Sequence, residues 1–300
     1  MWDSLRDGLS KGDVQALART ISLVENEAPG CAPFLASLKL ASIPIIGITG
    51  PPGAGKSTLT DALIEQYIGQ EKKVAVICID PSSPFNRGAL LGDRIRMSHW
   101  YNHPGVFIRS LASRGSLGGL NPKVIEITDV LKASVYDVIL VETVGVGQSE
   151  VEVAGLADVT VVTIVPEAGD EIQTMKAGLM EIADVFVVNK ADRPGADTFV
   201  NNLRQMLAPA YARKQMEIPV IQTIASEKKG IDTLHNAIEH VLQYKEKNNL
   251  RDLLLAEKLW ALIQKKRMEG LNKEMLLEKI KNQHHRNLYI LLDVITKESL

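Results

Sequence analysis

Gly50, Gly53, Gly55, Lys56 and Ser57 fall in the order G-x-x-x-x-G-K-S, between an apolar run (Ile45, Ile46, Ile48) and a helix-forming stretch that starts near Lys56. Residues of these types at this spacing hold phosphate. The glycines let backbone N–H groups turn toward an anion with no Cβ in the way. A helix that starts there adds unpaired N–H groups and the positive end of its dipole. Lys56 is long enough to reach β- and γ-phosphates, and the Ser57 hydroxyl can ligate Mg²⁺. Pro51, Pro52, Ala54 and Thr58 complete the expected nucleotide-contacting loop.

Other groups follow apolar runs further along. The run V-A-V-I-C-I ends in Asp80, a carboxylate placed to act on Mg²⁺ or its waters. The segment N-R-G-A-L-L-G-D-R-I-R-M sets Asp93 among glycines and arginines, the composition of a switch loop that senses a γ-phosphate. The run V-I-L-V ends in Glu142, with Gly145 three residues later. Such an acid holds Mg²⁺ directly or through water, and the glycine N–H can bond the γ-phosphate and report its loss. Lys56, Asp93, Glu142 and Gly145 are therefore the expected catalytic set. The position after Gly145 is Val146, where a small G protein of the Ras type carries its water-orienting Gln. Gln148 is the nearest glutamine, and whether it takes part stays open. The expectation is slow intrinsic hydrolysis, accelerated by a partner or a dimer.

The base is decided by N-K-A-D: Asn189, Lys190 and Asp192 at the end of the run V-F-V-V. A carboxylate accepts from both N1–H and the 2-amino group of guanine. Adenine has neither donor, and a site built for both bonds rejects it on the order of 10⁴-fold. The Lys190 stem can cover the base face, and the Ile224–Ala225 backbone after the last apolar run can meet the guanine O6. GTP and GDP are the expected ligands, with Mg²⁺ as cofactor.

These groups need a scaffold that brings strand ends together. Apolar runs at Ile45–Thr49, Val74–Asp80, Val106–Arg109, Val138–Glu142, Val159–Val165, Val185–Asn189 and Val220–Ile224 alternate with helix-length segments. The fold class is α/β: a mostly parallel central sheet with helices on both faces, of the P-loop type. Ligands in such sheets sit at the carboxyl ends of the strands. Three parts are predicted: a helical extension over 1–42, the nucleotide domain over 43–247, and a helical extension over 248–300. In the first, Asp13 is the expected N-cap of a helix with Val14, Leu17, Ala18, Ile21 and Val24 on one stripe. A second helical piece follows Pro29–Gly30 and reaches Leu40. In the last, Leu255, Leu259, Leu262 and Ile263 form a stripe beside Trp260, to be covered by the chain's own domain or by a second copy.

Composition agrees. Over 300 residues, 45% hydrophobic and 23% charged content suits a globular α/β domain with appendages. A net charge of −2 argues against nucleic acid as a partner, and no apolar run is long enough for a membrane span. The first residues carry mixed charge with no signal-type apolar core, so a cytoplasmic protein is expected. Cys31 and Cys78 read as small buried residues of a reducing compartment. His99 and His103 have a spacing that can hold a metal on a helix, but Pro104 ends any helix there, and they read as ordinary structural histidines.

Together, I-T-G-P-P-G-A-G-K-S-T-L, D-P-S-S-P, L-G-D-R-I-R-M, F-I-R-S, V-E-T-V-G-V-G-Q-S-E and N-K-A-D resemble the MeaB/ArgK family of P-loop GTPases, over nearly the whole chain. The resemblance implies a GTPase chaperone of adenosylcobalamin-dependent acyl-CoA mutases, methylmalonyl-CoA mutase or a relative. Such a protein gates cofactor loading and protects or reactivates the mutase, and it works as a homodimer. By the same resemblance Ser57, Asp80, Asp93 and Glu142 fall at metal-site positions. Asp170, Gln173 and Lys176, in G-D-E-I-Q-T-M-K, fall in an additional switch. Arg114 among small residues and Ile224 in place of a serine depart from the family pattern. The alternative is a GTPase metallochaperone for nickel-enzyme maturation, which would want a Cys/His site; the chain has no C-x-C or C-x-x-C. A third reading, a kinase acting on a transport binding protein, is opposed by N-K-A-D.

Overall fold

The computed structural model describes residues 1–80, 97–113, 120–143, 145, 149–168, 177–214, 217–244, 250–268, 272–283 and 287–299. Asp93, Arg114, Val146, Gln148, Asp170, Gln173 and Lys176 lie outside the described residues.

Strands β1 (Ile45–Thr49), β2 (Val74–Asp80), β3 (Val106–Ala112), β4 (Val138–Glu142), β5 (Val159–Ile164), β6 (Val185–Asn189) and β7 (Val220–Thr223) form one sheet in the order β3-β2-β4-β1-β5-β6-β7. Every pairing is parallel. The Val/Ile runs predicted this because strands covered on both faces have no polar side. β3 extends past Arg109 to Ala112. Among the described residues it is an edge strand paired only with β2, so half-buried Arg109 and Ser110 are tolerated inside it and hide its length in the sequence.

The two faces are read from alternate residues. Ile46 and Ile48 of β1, with Val185 and Val187 of β6, pack in one core with Leu59, Leu63 and Ile64 of α4 (Lys56–Ile68). Leu234 and Ile238 of the helix Ile231–Tyr244 join that core. Phe186 and Val188, the intervening residues of β6, pack instead with Phe199, Leu203 and Leu207 of the helix Ala196–Lys214. Helices thus cover both faces, as the period of two in β6 requires.

An aspartate set before a strand repeatedly fixes the register. Asp137, before β4, accepts from Lys73 N at 2.7 Å. Asp158, before β5, accepts from Ile45 N at 2.8 Å. Asp184, before β6, accepts from Thr160 N at 2.8 Å. In each case the bond crosses to the start of the neighbouring strand, where the first N–H lacks a ladder partner.

Three helices precede the sheet: α1 (Trp2–Lys11), α2 (Val14–Glu25) and α3 (Cys31–Ala36). Asp13 caps α2 as expected, its Oδ1 accepting from Gln15 N at 2.8 Å and Ala16 N at 3.1 Å. Leu17, Ile21 and Val24 are buried, but Val14 is 47% exposed, being in the first turn ahead of the covered surface. Thr20 takes a buried place on that face by donating its hydroxyl to Ala16 O at 2.8 Å. α3 stops at Ala36, short of Leu40, where the Ser37 hydroxyl binds Phe34 O at 2.7 Å. Arg109 of β3 ties α2 to the sheet, its Nη2 bonding Glu25 Oε2 at 2.7 Å and Ser22 Oγ at 3.1 Å. Cys78 is buried as expected, whereas Cys31 is only half-buried.

The chain divides into compact units Met1–Arg251 and Asp252–Leu300. The second holds most of the helix Leu250–Arg267 and the helices Lys273–Lys281 and Leu288–Ser299. Its stripe is present but uncovered: Leu255, Leu259, Trp260, Leu262 and Ile263 are all exposed, Trp260 by 64%.

Candidate nucleotide site

β1 lies inside the sheet between β4 and β5, with the chain crossing to β2 on one side and β5 on the other. The end of β1 is therefore a topological switch point, where a parallel sheet opens a crevice for ligand. Gly50 follows β1 with φ +134°, and a Cβ there would stand 2.0 Å from Thr163 O. Only glycine lets the loop pass so close to the tip of β5. Gly53 and Gly55 also have positive φ, and α4 begins directly at Lys56. The phosphate loop is thus built as its spacing predicted, with Ala54, Lys56 and Ser57 buried and Pro52 and Gly53 exposed.

Lys56 Nζ donates to Gly50 O at 2.8 Å and Pro51 O at 3.0 Å, which holds the ammonium against its own loop. The strand-tip acid meets the same helix. Ser57 Oγ donates to Glu142 Oε1 at 2.6 Å, and Thr60 Oγ1 stands 3.1 Å from Glu142 Oε2. Glu142 is 3% exposed. β2 pairs with β4 so that Cys78 faces Glu142, and Asp80 lies two residues further along β2, also buried. A hydroxyl at the start of α4 and carboxylates at the tips of β2 and β4, all oxygen, are the donor types that a hard cation such as Mg²⁺ takes.

Gly145 comes to the loop as well. Its φ is +87°, and a Cβ added there would lie 2.4 Å from Gly50 O and 2.6 Å from Lys56 Nζ. The strand end leading to it is clasped: Thr143 Oγ1 bonds Thr49 Oγ1 at 2.9 Å, and Thr143 N bonds Ile48 O at 3.0 Å. Both threonines are buried.

The N-K-A-D group closes the other side. Asn189 Nδ2 donates to Ala54 O at 2.9 Å. Its Oδ1 accepts from Thr223 Oγ1 and from Ala225 N, each at 3.1 Å. Lys190, with φ +56°, sends Nζ to Gly53 O at 2.9 Å. Asp192 is exposed. Ile224 pairs with Lys229 across a tight loop, so the backbone after β7 is held beside Asn189.

Thr49, Thr60, Thr143 and Thr223 are participants that the sequence reading passed over. Thr60 alone had a local signal, one helical turn beyond Ser57 on the same face of α4. The histidine pair is not on one helix. His99 Nε2 lies 3.2 Å from Asp61 Oδ1, and His103 Nδ1 accepts from Gly105 N at 3.1 Å.

A phosphate loop on an inner strand of an all-parallel sheet, followed by a helix whose serine bonds a strand-tip acid, defines a P-loop nucleotide triphosphatase. The crystal structure of an LAO/AO transport system kinase has this fold, with a TM-score of 0.67, 28% identity, and coverage of 98% of this chain and 97% of that one. The chain belongs to the MeaB family, described as the methylmalonyl Co-A mutase-associated GTPase MeaB, whose model matches residues 17–283. A relative in Pyrococcus abyssi is 47% identical over 253 residues, 83% of this chain and 78% of that protein. The fused isobutyryl-CoA mutase of Geobacillus kaustophilus is 33% identical over 299 residues, 93% of this chain and 27% of that protein.

Proposed function

We propose that this MeaB-family GTPase is a Mg²⁺-dependent, intrinsically slow GTPase that acts as chaperone to an adenosylcobalamin-dependent acyl-CoA mutase, assisting its cofactor loading, protection and reactivation. The observation that carries this reading is the likeness of nearly the whole chain to one segment of a protein named as a fused isobutyryl-CoA mutase. A segment joined to a mutase in one chain is a natural free-standing partner of a mutase in another. The family's description as mutase-associated supports the same reading.

In this proposal Gly50 to Thr58 cradle the phosphates, and Lys56 exchanges its loop carbonyls for phosphate oxygens. Ser57, Asp80 and Glu142, with Asp93 by family resemblance, hold Mg²⁺, which when bound offsets charge on the phosphate oxygens. The Gly145 N–H senses the γ-phosphate. Asp192 reads the guanine edge, Asn189 and Lys190 fix the base pocket to the phosphate loop, and the Ile224–Ala225 backbone lines it. Asp170, Gln173 and Lys176 form the switch that relays nucleotide state to the mutase. The functional parts are 1–42, 43–247 and 248–300, and the protein works as a cytoplasmic homodimer. Exposed Trp260, beside exposed Leu259 on the last part, supports a dimer contact there, because aromatic side chains are enriched at interface cores.

The test is capture from cell extract with full-length protein loaded with a non-hydrolysable GTP analogue. A cobalamin-dependent acyl-CoA mutase should be retained with the analogue and released with GDP. Recovery of a nickel-enzyme precursor instead would establish the metallochaperone alternative.

A further inference from the structure

Glu142 is gripped by α4 at two points. Ser57 Oγ bonds one carboxylate oxygen at 2.6 Å, and Thr60 Oγ1 reaches the other at 3.1 Å. Thr60 is fully buried, so its hydroxyl has no exchange with bulk water to orient it. That hydroxyl carries one proton and has a second acceptor within reach, Lys56 O at 2.9 Å. An ionised carboxylate is the stronger acceptor of the two. Ser57 and Thr60 are three residues apart on one helix face, and the carboxylate spans the two hydroxyls. A carboxylate held at both oxygens by one helix cannot rotate about its last bond without breaking one of the contacts.

We infer that Thr60 is a positioning residue for the metal site, setting the plane of the Glu142 carboxylate so that Ser57 and Glu142 present their oxygens to the cation together. The inference rests on the proposed role of Glu142 at Mg²⁺. The role assigned to Thr60 is exerted through Glu142, the side chain its hydroxyl reaches. Partners of this outer kind change metal affinity by about 10- to 100-fold when removed.

The experiment measures binding of a fluorescent GDP to the full-length protein, first without divalent cation and then across a Mg²⁺ titration. Thr60→Val keeps the shape and removes the donor; Thr60→Ser keeps the donor. The expected result for Thr60→Val is a Mg²⁺ half-saturation point raised about tenfold, with metal-free GDP affinity unchanged. Thr60→Ser should restore the wild-type titration. An unshifted Mg²⁺ midpoint in Thr60→Val overturns the inference. So does an equal loss of metal-free affinity, which assigns Thr60 to packing. If the valine variant does not fold, Thr60→Ala is measured in its place under the same criteria. A wild-type protein whose GDP affinity ignores Mg²⁺ overturns the metal reading itself, and is seen before any variant is made.

Discussion

The Asn189 side-chain amide donates to the Ala54 carbonyl at 2.9 Å, joining the tip of β6 to the phosphate loop across 135 residues of sequence. The same side chain accepts from Ala225 N and Thr223 Oγ1, so one buried residue holds three segments of the site. In the proposed function, recognition of the base and grip on the phosphates are mechanically linked through it.

Asn189→Ala removes that link and strands the Ala54 carbonyl and the Ala225 amide, at about 1–3 kcal/mol for each buried group left unpaired. GDP affinity should fall by about 10- to 100-fold, read by titration of a fluorescent GDP. A variant that binds as wild type would remove Asn189 from the site.

Asp192→Asn should move base preference from guanine to xanthine. The amide keeps an acceptor for N1–H and gains a donor for the 2-oxo group that replaces the 2-amino group. GTP affinity should drop by several kcal/mol while XTP binding appears, the scale of discrimination seen when a site loses a matched hydrogen-bonding edge. Competition between GTP and XTP decides it, and unchanged preference excludes Asp192 as the base reader.

Gly145→Ala places a methyl group 2.4 Å from the Gly50 carbonyl, on a backbone with φ +87°. Both the clash and the left-handed backbone, about 1–2 kcal/mol for a residue with a Cβ, push the strand tip away from the phosphate loop. GTP hydrolysis should fall at least tenfold and the distinction between GTP and GDP in affinity should shrink. Stopped-time phosphate release and paired nucleotide titrations measure both.

His235 supplies a pH-dependent contribution to stability. It is 4% exposed and meets Tyr67 edge-on, with ring centroids 4.8 Å apart. Burial holds its pKa below the ordinary histidine value, against the opposing pull of Glu239 and with Lys72 adding to the depression. The unfolded chain therefore binds a proton at His235 more readily than the folded one. Stability contributed here is present above the unfolded value of 6.5 and is lost as pH falls below it. His235→Leu should flatten the decline in melting temperature between neutral and mildly acid pH, without lowering the neutral value. An unchanged pH slope would assign the decline to other groups.

The placement of several candidate site groups was legible because each closes an apolar run. Asp80, Glu142 and Asn189 each end a strand of Val and Ile, and in a parallel sheet all those ends lie on one side. The edge strand β3 was read short because Arg109 and Ser110 interrupt its apolar run at a position the sheet leaves half-covered. The uncovered stripe at Leu259 and Trp260 was visible as periodicity, but periodicity does not say what covers it.

The sequence by itself determined the type of the described strands and main helices and the residue types at their ends, since both depend on neighbouring residues and their spacing. Tertiary structure alone decided which ends meet. Ser57 and Glu142 are 85 residues apart and bond because β4, the fourth strand in the chain, inserts beside β1. Thr60 finds Glu142 and Thr143 finds Thr49 for the same reason, and Asp158 caps Ile45 because β5 lies on the other side of β1. A hydrogen bond across strands leaves no period in the sequence, because its partners are brought together by strand order and by burial that removes water as a competing partner.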